Sequence, residues 1–169
     1  MRNITRLITA TAVIFAGITV SGGTAHADSV PAKRCTDYQD KRFPTQGANT
    51  LVQVKMCIEV NSSYRAVAKA YIAWIDGEEI ISDNKFDYIS IQTRLEQYNN
   101  TITQAVDECN LNDNIDTQNQ GNTTCTTPSE GVYSVNGFTA DATVYYDING
   151  DGEGMFTWEL TGSPSWSFV

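Results

Sequence analysis

Three stretches between Thr50 and Gln97 alternate apolar and polar residues, and this constrains the fold more than any other feature. Thr50 to Val60 places Val52, Val54, Met56, Ile58 and Val60 on one side and Gln53, Lys55, Cys57 and Glu59 on the other. Successive side chains of a strand point to opposite faces, so a period of two marks a strand with one buried face. Asn61-Ser62-Ser63 reads as a turn. Tyr64 to Ile75 then resumes the alternation, with Ala66, Ala68, Ala70, Ile72 and Trp74 opposite Arg65 and Lys69. The alanines also suit a helix over 64–73. The preceding turn, Trp74-Ile75 and the Asp76-Gly77 pair favour a strand. In Tyr88 to Gln97, Ile89, Ile91, Thr93 and Leu95 face inward and Ser90, Gln92, Arg94 and Glu96 outward.

The remaining segments follow the same logic. Asp76 to Glu79 is a turn or loop, and Ile80 to Asp83 a short further piece. Asn99-Asn100 tolerates positive φ and suits a hairpin turn, with Thr101 to Cys109 as the return strand. Thr139 to Tyr146 offers Ala142, Val144 and Tyr146 to a core. Asp147 to Gly154 is a turn, and Met155 to Thr161 is its partner strand with Phe156, Trp158 and Leu160 inward. Residues 28–49 are polar and read as irregular. Residues 110–130 read as a long polar loop, with Leu111 and Ile115 its only large apolar side chains. The expected fold is all-β: one antiparallel β-sandwich or barrel-like domain over 50–169, built from short-turned strands.

Residues 1–27 have the pattern of a secretory signal peptide. Arg2 and Arg6 precede an apolar run from Leu7 to Val20, and Ala25-His26-Ala27 forms a small-x-small cleavage site before Asp28. The run is shorter than the roughly 20 residues that span a bilayer, and no Leu-x-x-Cys lipobox follows. The expectation is therefore export, with an extracellular, monomeric product that leaves the membrane. Removal of 1–27 takes two bases and no acid, leaving 142 residues with nine bases against 20 acids, a formal charge of −11. This charge argues against nucleic acid as a partner, since affinity there comes from Lys and Arg neutralising phosphates. The only histidine, His26, leaves with the leader. The remaining chain can build neither a Ser-His-Asp nor a Cys-His unit, nor a His-ligated metal site.

Cys35, Cys57, Cys109 and Cys125 form an even set in a chain expected outside the cell, which indicates two disulfides. Three pairings are open. Cys35–Cys57 and Cys109–Cys125 are preferred because each pair encloses one polar, turn-rich segment.

The leader, these cysteines, and the ending Val144-Tyr145-Tyr146-Asp147-Ile148-Asn149-Gly150-Asp151-Gly152 with Thr157-Trp158-Glu159-Leu160-Thr161-Gly162-Ser163-Pro164 carry a resemblance. From Met56 onward the chain resembles small secreted, β-rich proteins of Streptomyces-like actinobacteria. That resemblance implies a β-rich secreted fold and brings no functional residue with it.

Three candidate sites emerge. Asp147-Ile148-Asn149-Gly150-Asp151-Gly152 matches the first half of an EF-hand loop, so Asp147, Asn149, Asp151 and Glu153 are candidate calcium ligands. Trp158 stands where the bidentate Glu should be, and a Gly-rich hairpin turn explains the same residues. Trp166 and Phe168 in the tail either stack on a ligand such as a sugar or pack on the body. The pairs Glu78/Glu79 and Asp83/Asp87 are candidate carboxylates for glycoside hydrolysis, or ordinary solvated charges. The function expected is a non-catalytic binding or interaction module for an extracellular protein or glycan, needing no cofactor beyond candidate calcium. An inhibitor-like loop at 110–127, with Thr123-Thr124-Cys125-Thr126-Thr127-Pro128, is a special case. The alternative is a small carboxylate-dependent extracellular hydrolase.

Overall fold

The alternating runs become the central strands of two facing antiparallel sheets. The computed structural model describes residues 31–47, 49–77, 84–97, 102–132 and 137–167. The leader and the 78–83 connection lie outside these residues, as do Asn99, Asn100 and Phe168. The first sheet (sheet A) is built on β3 (Thr50–Val60) and β4 (Arg65–Asp76), paired along their full length so that Lys55 faces Tyr71 and Val60 faces Ala66. β1 (Ala32–Cys35) and β2 (Gln39–Phe43) both pair with β3. β7 (Gln120–Thr126) and the two-residue β8 (Glu130–Gly131) pair with β4. The second sheet (sheet B) has the order β10 (Phe156–Glu159), β9 (Phe138–Ile148), β5 (Phe86–Gln97), β6 (Ile102–Asn110).

The core lies between the sheets and is made by the expected inward faces. Val52, Val54, Met56, Ile58 and Val60 from β3 and Ala66, Ala68, Ala70, Ile72 and Trp74 from β4 are buried. Ile89, Ile91, Thr93 and Leu95 of β5 and Ala140, Ala142, Val144 and Tyr146 of β9 face them from sheet B. The alanines of β4 leave the room that these larger side chains fill, which resolves the helix-or-strand ambiguity of 64–73 by tertiary packing. Tyr64 is not in the strand but in the turn before it, at φ 54°. The Asn61 side chain holds that turn by accepting from the backbone N–H groups of Ser63 and Arg65.

Three segments differ from the sequence reading. Residues 28–49, expected to be irregular, contribute β1 and β2. Both lie beside β3 at the sheet's margin, where backbone pairing substitutes for an apolar pattern. Residues 110–130, expected to be a loop, fold as the short helix α1 (Asn112–Thr117) followed by β7. Leu111 and Ile115 bury to anchor α1, and β7 is a margin strand of mostly polar residues with Cys125 alone buried. Phe156, expected inward, is 39% exposed and stacks on Tyr146 instead; Leu160 is buried as expected.

Both preferred disulfides are present. Cys35–Cys57 joins directly opposed residues of β1 and β3. Cys109–Cys125 joins β6 of sheet B to β7 of sheet A, closing one side of the sandwich covalently. The opposite side is closed by polar side chains. Gln39 Nε2 donates to the Thr161 carbonyl at 2.9 Å while its Oε1 accepts from Thr161 N–H at 2.6 Å, so one side chain imitates a strand backbone. Lys41 reaches the Tyr146 hydroxyl at 2.6 Å, and Arg34 the Ser165 carbonyl at 2.9 Å.

Candidate functional site

The outward alternation of β3 and β4 builds an open face on sheet A. The register places Lys55 beside Tyr71, Gln53 beside Ala73 and Leu51 beside Ile75, with β7 adding Gln120 and Asn122. At one end, Lys33, Lys69 and Tyr71 converge on Glu59. Lys33 Nζ lies 2.7 Å from Oε1, Lys69 Nζ 2.6 Å from Oε2, and the Tyr71 hydroxyl donates to Oε1 at 2.7 Å. Partial burial alone would raise the Glu59 carboxyl, but hydrogen bonds from Lys33, Lys69 and Tyr71 overcome it and hold the group at about 2. Lys33 also lies over the Tyr71 ring, and Lys55 over the rings of Tyr38 and Tyr71.

Two open grooves flank this cluster. One, of about 450 Å³, is lined by Pro31, Ala32, Val60 and Val67, with Lys33, Glu59, Arg65 and Lys69 around it. The other, of about 530 Å³, lies between Leu51, Ala73 and Ile75 and is lined by the amides of Gln53, Gln120 and Asn122. Gly121 lets β7 approach Trp74 here: a Cβ at this position would lie 2.3 Å from the indole.

Sheet B carries a different cluster on its outer face. Arg94 reaches Glu96 at 3.0 Å, Asp141 at 3.3 Å and the Thr143 hydroxyl at 2.8 Å; Thr143 donates in turn to Glu159 at 2.8 Å. The Glu96 side chain is 7% exposed. Its Oε2 has no hydrogen-bond partner among the described residues. Burial pushes the Glu96 carboxyl above its ordinary value against the pull of Arg94, and the charge of Asp141 adds to the rise. The alternation of β5 puts Glu96 and Arg94 on one outward face but carries no signal for the approach of Asp141 and Glu159. That needs the pairing of β5 with β9 and of β9 with β10. The sheet A cluster was closer to hand: two alternating runs around one turn already imply that Lys55 and Tyr71 are neighbours.

The residues singled out from sequence are dispersed. Asp147 ends up on β9, while Asn149 Nδ2 donates to the Asn84 carbonyl and Asp151 Oδ1 accepts from Glu153 N–H. Among the described residues, Asp147, Asp151 and Glu153 do not bring three carboxylates within 4.8 Å of one another. The one group that does meet that distance is Asp107 with Cys109 and Cys125, whose sulfurs are bonded to each other and so offer no thiolate. Trp166 is 2% exposed and bridges to Phe138, taking the packed alternative. Glu78, Glu79 and Asp83 lie outside the described residues, and Asp87 is an exposed residue of β5. Thr123 to Thr126 are paired with β4 and do not form a projecting loop. No helix among the described residues is long and apolar enough to cross a membrane. In comparisons with known proteins, the chain matches no family model, no curated protein and no solved structure.

Proposed function

We propose that this chain is a secreted, non-catalytic module that binds an extracellular glycan through the outer face of sheet A. The observation that carries the reading is the pair of open grooves on one rigid sheet face, separated by Lys55 and Tyr71 and lined by side chains able to bond hydroxyls. Sites on strands are held more firmly than sites on loops, and both disulfides brace the strands concerned. The leader pattern and the two bridges support an oxidising, extracellular setting. The test is retention of the mature protein on isolated cell wall and on a panel of immobilised polysaccharides. Ala73→Arg, which puts a long side chain into the middle of the face, is expected to abolish retention. Thr157→Arg, on the outer face of sheet B, is expected to leave it intact. Equal retention of both variants would defeat the assignment of the face.

A second reading, a carboxylate-dependent hydrolase, draws on Glu96. A buried carboxyl with a raised pKa beside a second carboxylate is the arrangement a general acid needs. Release of reducing sugar by the native protein, lost in Glu96→Gln, would favour it over the binding module.

A further inference from the structure

The bases of this acidic chain are not spread evenly. Seven of the nine that follow residue 27 lie on strands of sheet A: Lys33, Arg34, Lys41, Arg42, Lys55, Arg65 and Lys69. The strands of sheet B hold seven acids against Arg94 alone. The register directs Lys33, Arg42, Lys55, Arg65 and Lys69 to the outer face of sheet A, where they meet two acids, Asp40 and Glu59. A chain of formal charge −9 thus presents one cationic face, and charge segregation of this kind steers an oppositely charged partner to one surface.

The groove between Pro31 and Val67 is where that charge is best organised. Glu59 is occupied by three donors, so it fixes the ammonium groups of Lys33 and Lys69 without neutralising both. Arg65 bonds the hydroxyl and the carbonyl oxygen of Ser129, which carry no charge to offset its own. Lys55, held over two tyrosine rings, has no carboxylate partner among the described residues. Lys33, Lys69 and Arg65 against Glu59 therefore leave two positive charges in excess beside the apolar surface of Pro31 and Val67. We infer that this groove seats the acidic group of an anionic glycan, with the C–H face of the sugar on Pro31 and Val67. The neighbouring units would run past Lys55 to the amides of Gln53, Gln120 and Asn122. The path from Glu59 to Leu51 is about 27 Å at the rise of a strand, so the ligand is a chain and not a single sugar. This inference rests on the reading of the face given above and adds the charge and orientation of the ligand.

The test uses the mature protein with polygalacturonate and with the same polymer fully methyl-esterified, which keeps the backbone and removes the charge. Affinity is measured at low and at high salt, with dextran sulfate and polyglutamate as competitors. The acid form is expected to bind more tightly by about tenfold or more, which corresponds to about 1.4 kcal/mol, and to weaken with salt. Lys33→Gln with Lys69→Gln should remove that preference. Because the double change frees Glu59, Lys55→Gln with Arg65→Gln serves as a second variant that leaves the Glu59 cluster intact, and it should reduce the preference too. Equal binding of acid and ester would overturn the inference while leaving the face as a glycan site. Binding of neither polymer, together with no retention on any glycan, would overturn the reading of the face itself. Equal competition by dextran sulfate, unaffected by either variant, would show charge attraction without a site. Tighter binding of polyglutamate would replace the glycan by an acidic peptide.

Discussion

Lys85 Nζ lies 2.6 Å from Asp76 Oδ2, and the two side chains are only 5% and 4% exposed. Asp76 closes β4 in sheet A and Lys85 precedes β5 in sheet B, so this pair fastens the sheets where the chain passes between them. Asp76 Oδ2 faces only the Lys85 ammonium among the described residues, and the pair's other polar atoms are hydrogen-bonded. Thr50 donates to Asp76 Oδ1, and Lys85 donates to the carbonyls of Ile115 and Gln118. A buried ion pair is stabilising only when its remaining hydrogen bonds are made. Removing one partner leaves an uncompensated buried charge, so Asp76→Leu alone should lower stability by about 3–5 kcal/mol. Asp76→Leu with Lys85→Met should cost less than that single change. Urea denaturation of the two variants checks this, and a double variant less stable than the single one would show that the pair is not the source.

The disulfide between β6 and β7 should matter for more than local order. Cys109→Ser with Cys125→Ser reopens a loop with a sequence separation of 16 and is expected to cost about 3 kcal/mol in the chain-entropy model. Guanidinium unfolding of this variant beside the native protein reads the loss directly. Non-reducing peptide mapping should show Cys35 with Cys57 and Cys109 with Cys125.

Acid should weaken the fold through Glu59. Its folded pKa of about 2 lies below the ordinary carboxylate value. The stability it contributes is therefore present above the unfolded pKa and is lost as pH falls through the folded one. The window is about pH 4.5 down to pH 2, and Glu59→Gln should flatten the stability curve there. Glu96 has the opposite sign. Its pKa is raised, so its contribution is present below the unfolded pKa and is lost as pH rises through the folded one. Glu96→Gln should remove a decline on the neutral side and leave the acid limb unchanged. Melting temperatures across pH for the two variants separate these effects.

Gly121 is required by contact and not by backbone angle. Gly121→Ala would drive a methyl group into the Trp74 indole, which is 4% exposed and donates to the Gln118 carbonyl. A loss of about 1–3 kcal/mol is expected from overpacking, with a change in tryptophan fluorescence. Trp74→Phe should tolerate Gly121→Ala better than the native background does. Additive losses in the double variant would contradict the contact.

The central strands were readable because burial of one face imposes a period of two on β3, β4 and β5. The inward list from Val52 to Leu95 matches the core for that reason. The marginal strands carried no such imprint. β7 reads Gln-Gly-Asn-Thr-Thr-Cys-Thr, and its place is set by backbone pairing with β4 and by the bridge at Cys125. α1 was hidden because a single turn anchored by Ile115 leaves no helical repeat. Its role lies in side chains that satisfy backbone groups, such as Asn112, which accepts from Ile89 N–H and donates to the Phe86 carbonyl. The Lys33–Glu59–Lys69 cluster was half legible. β3 and β4 set Glu59 and Lys69 diagonally across one face, but Lys33 arrives on a strand that has no pattern of its own.

The unlike closures at the two sides give the sandwich a spine and a fore-edge. Where Cys109 is bonded to Cys125 the sheets cannot part without breaking a covalent bond; where Gln39 meets Thr161 they are held by two hydrogen bonds at 2.9 and 2.6 Å. Transient opening of the native molecule therefore has a preferred direction, like a book hinged along β6 and β7. The strip from Leu160 to Ser167 would lift first, with amide exchange faster there than along the spine. The cationic groove, bridged through Cys35 and Cys57 into the opposite cover, would keep its shape while it did so.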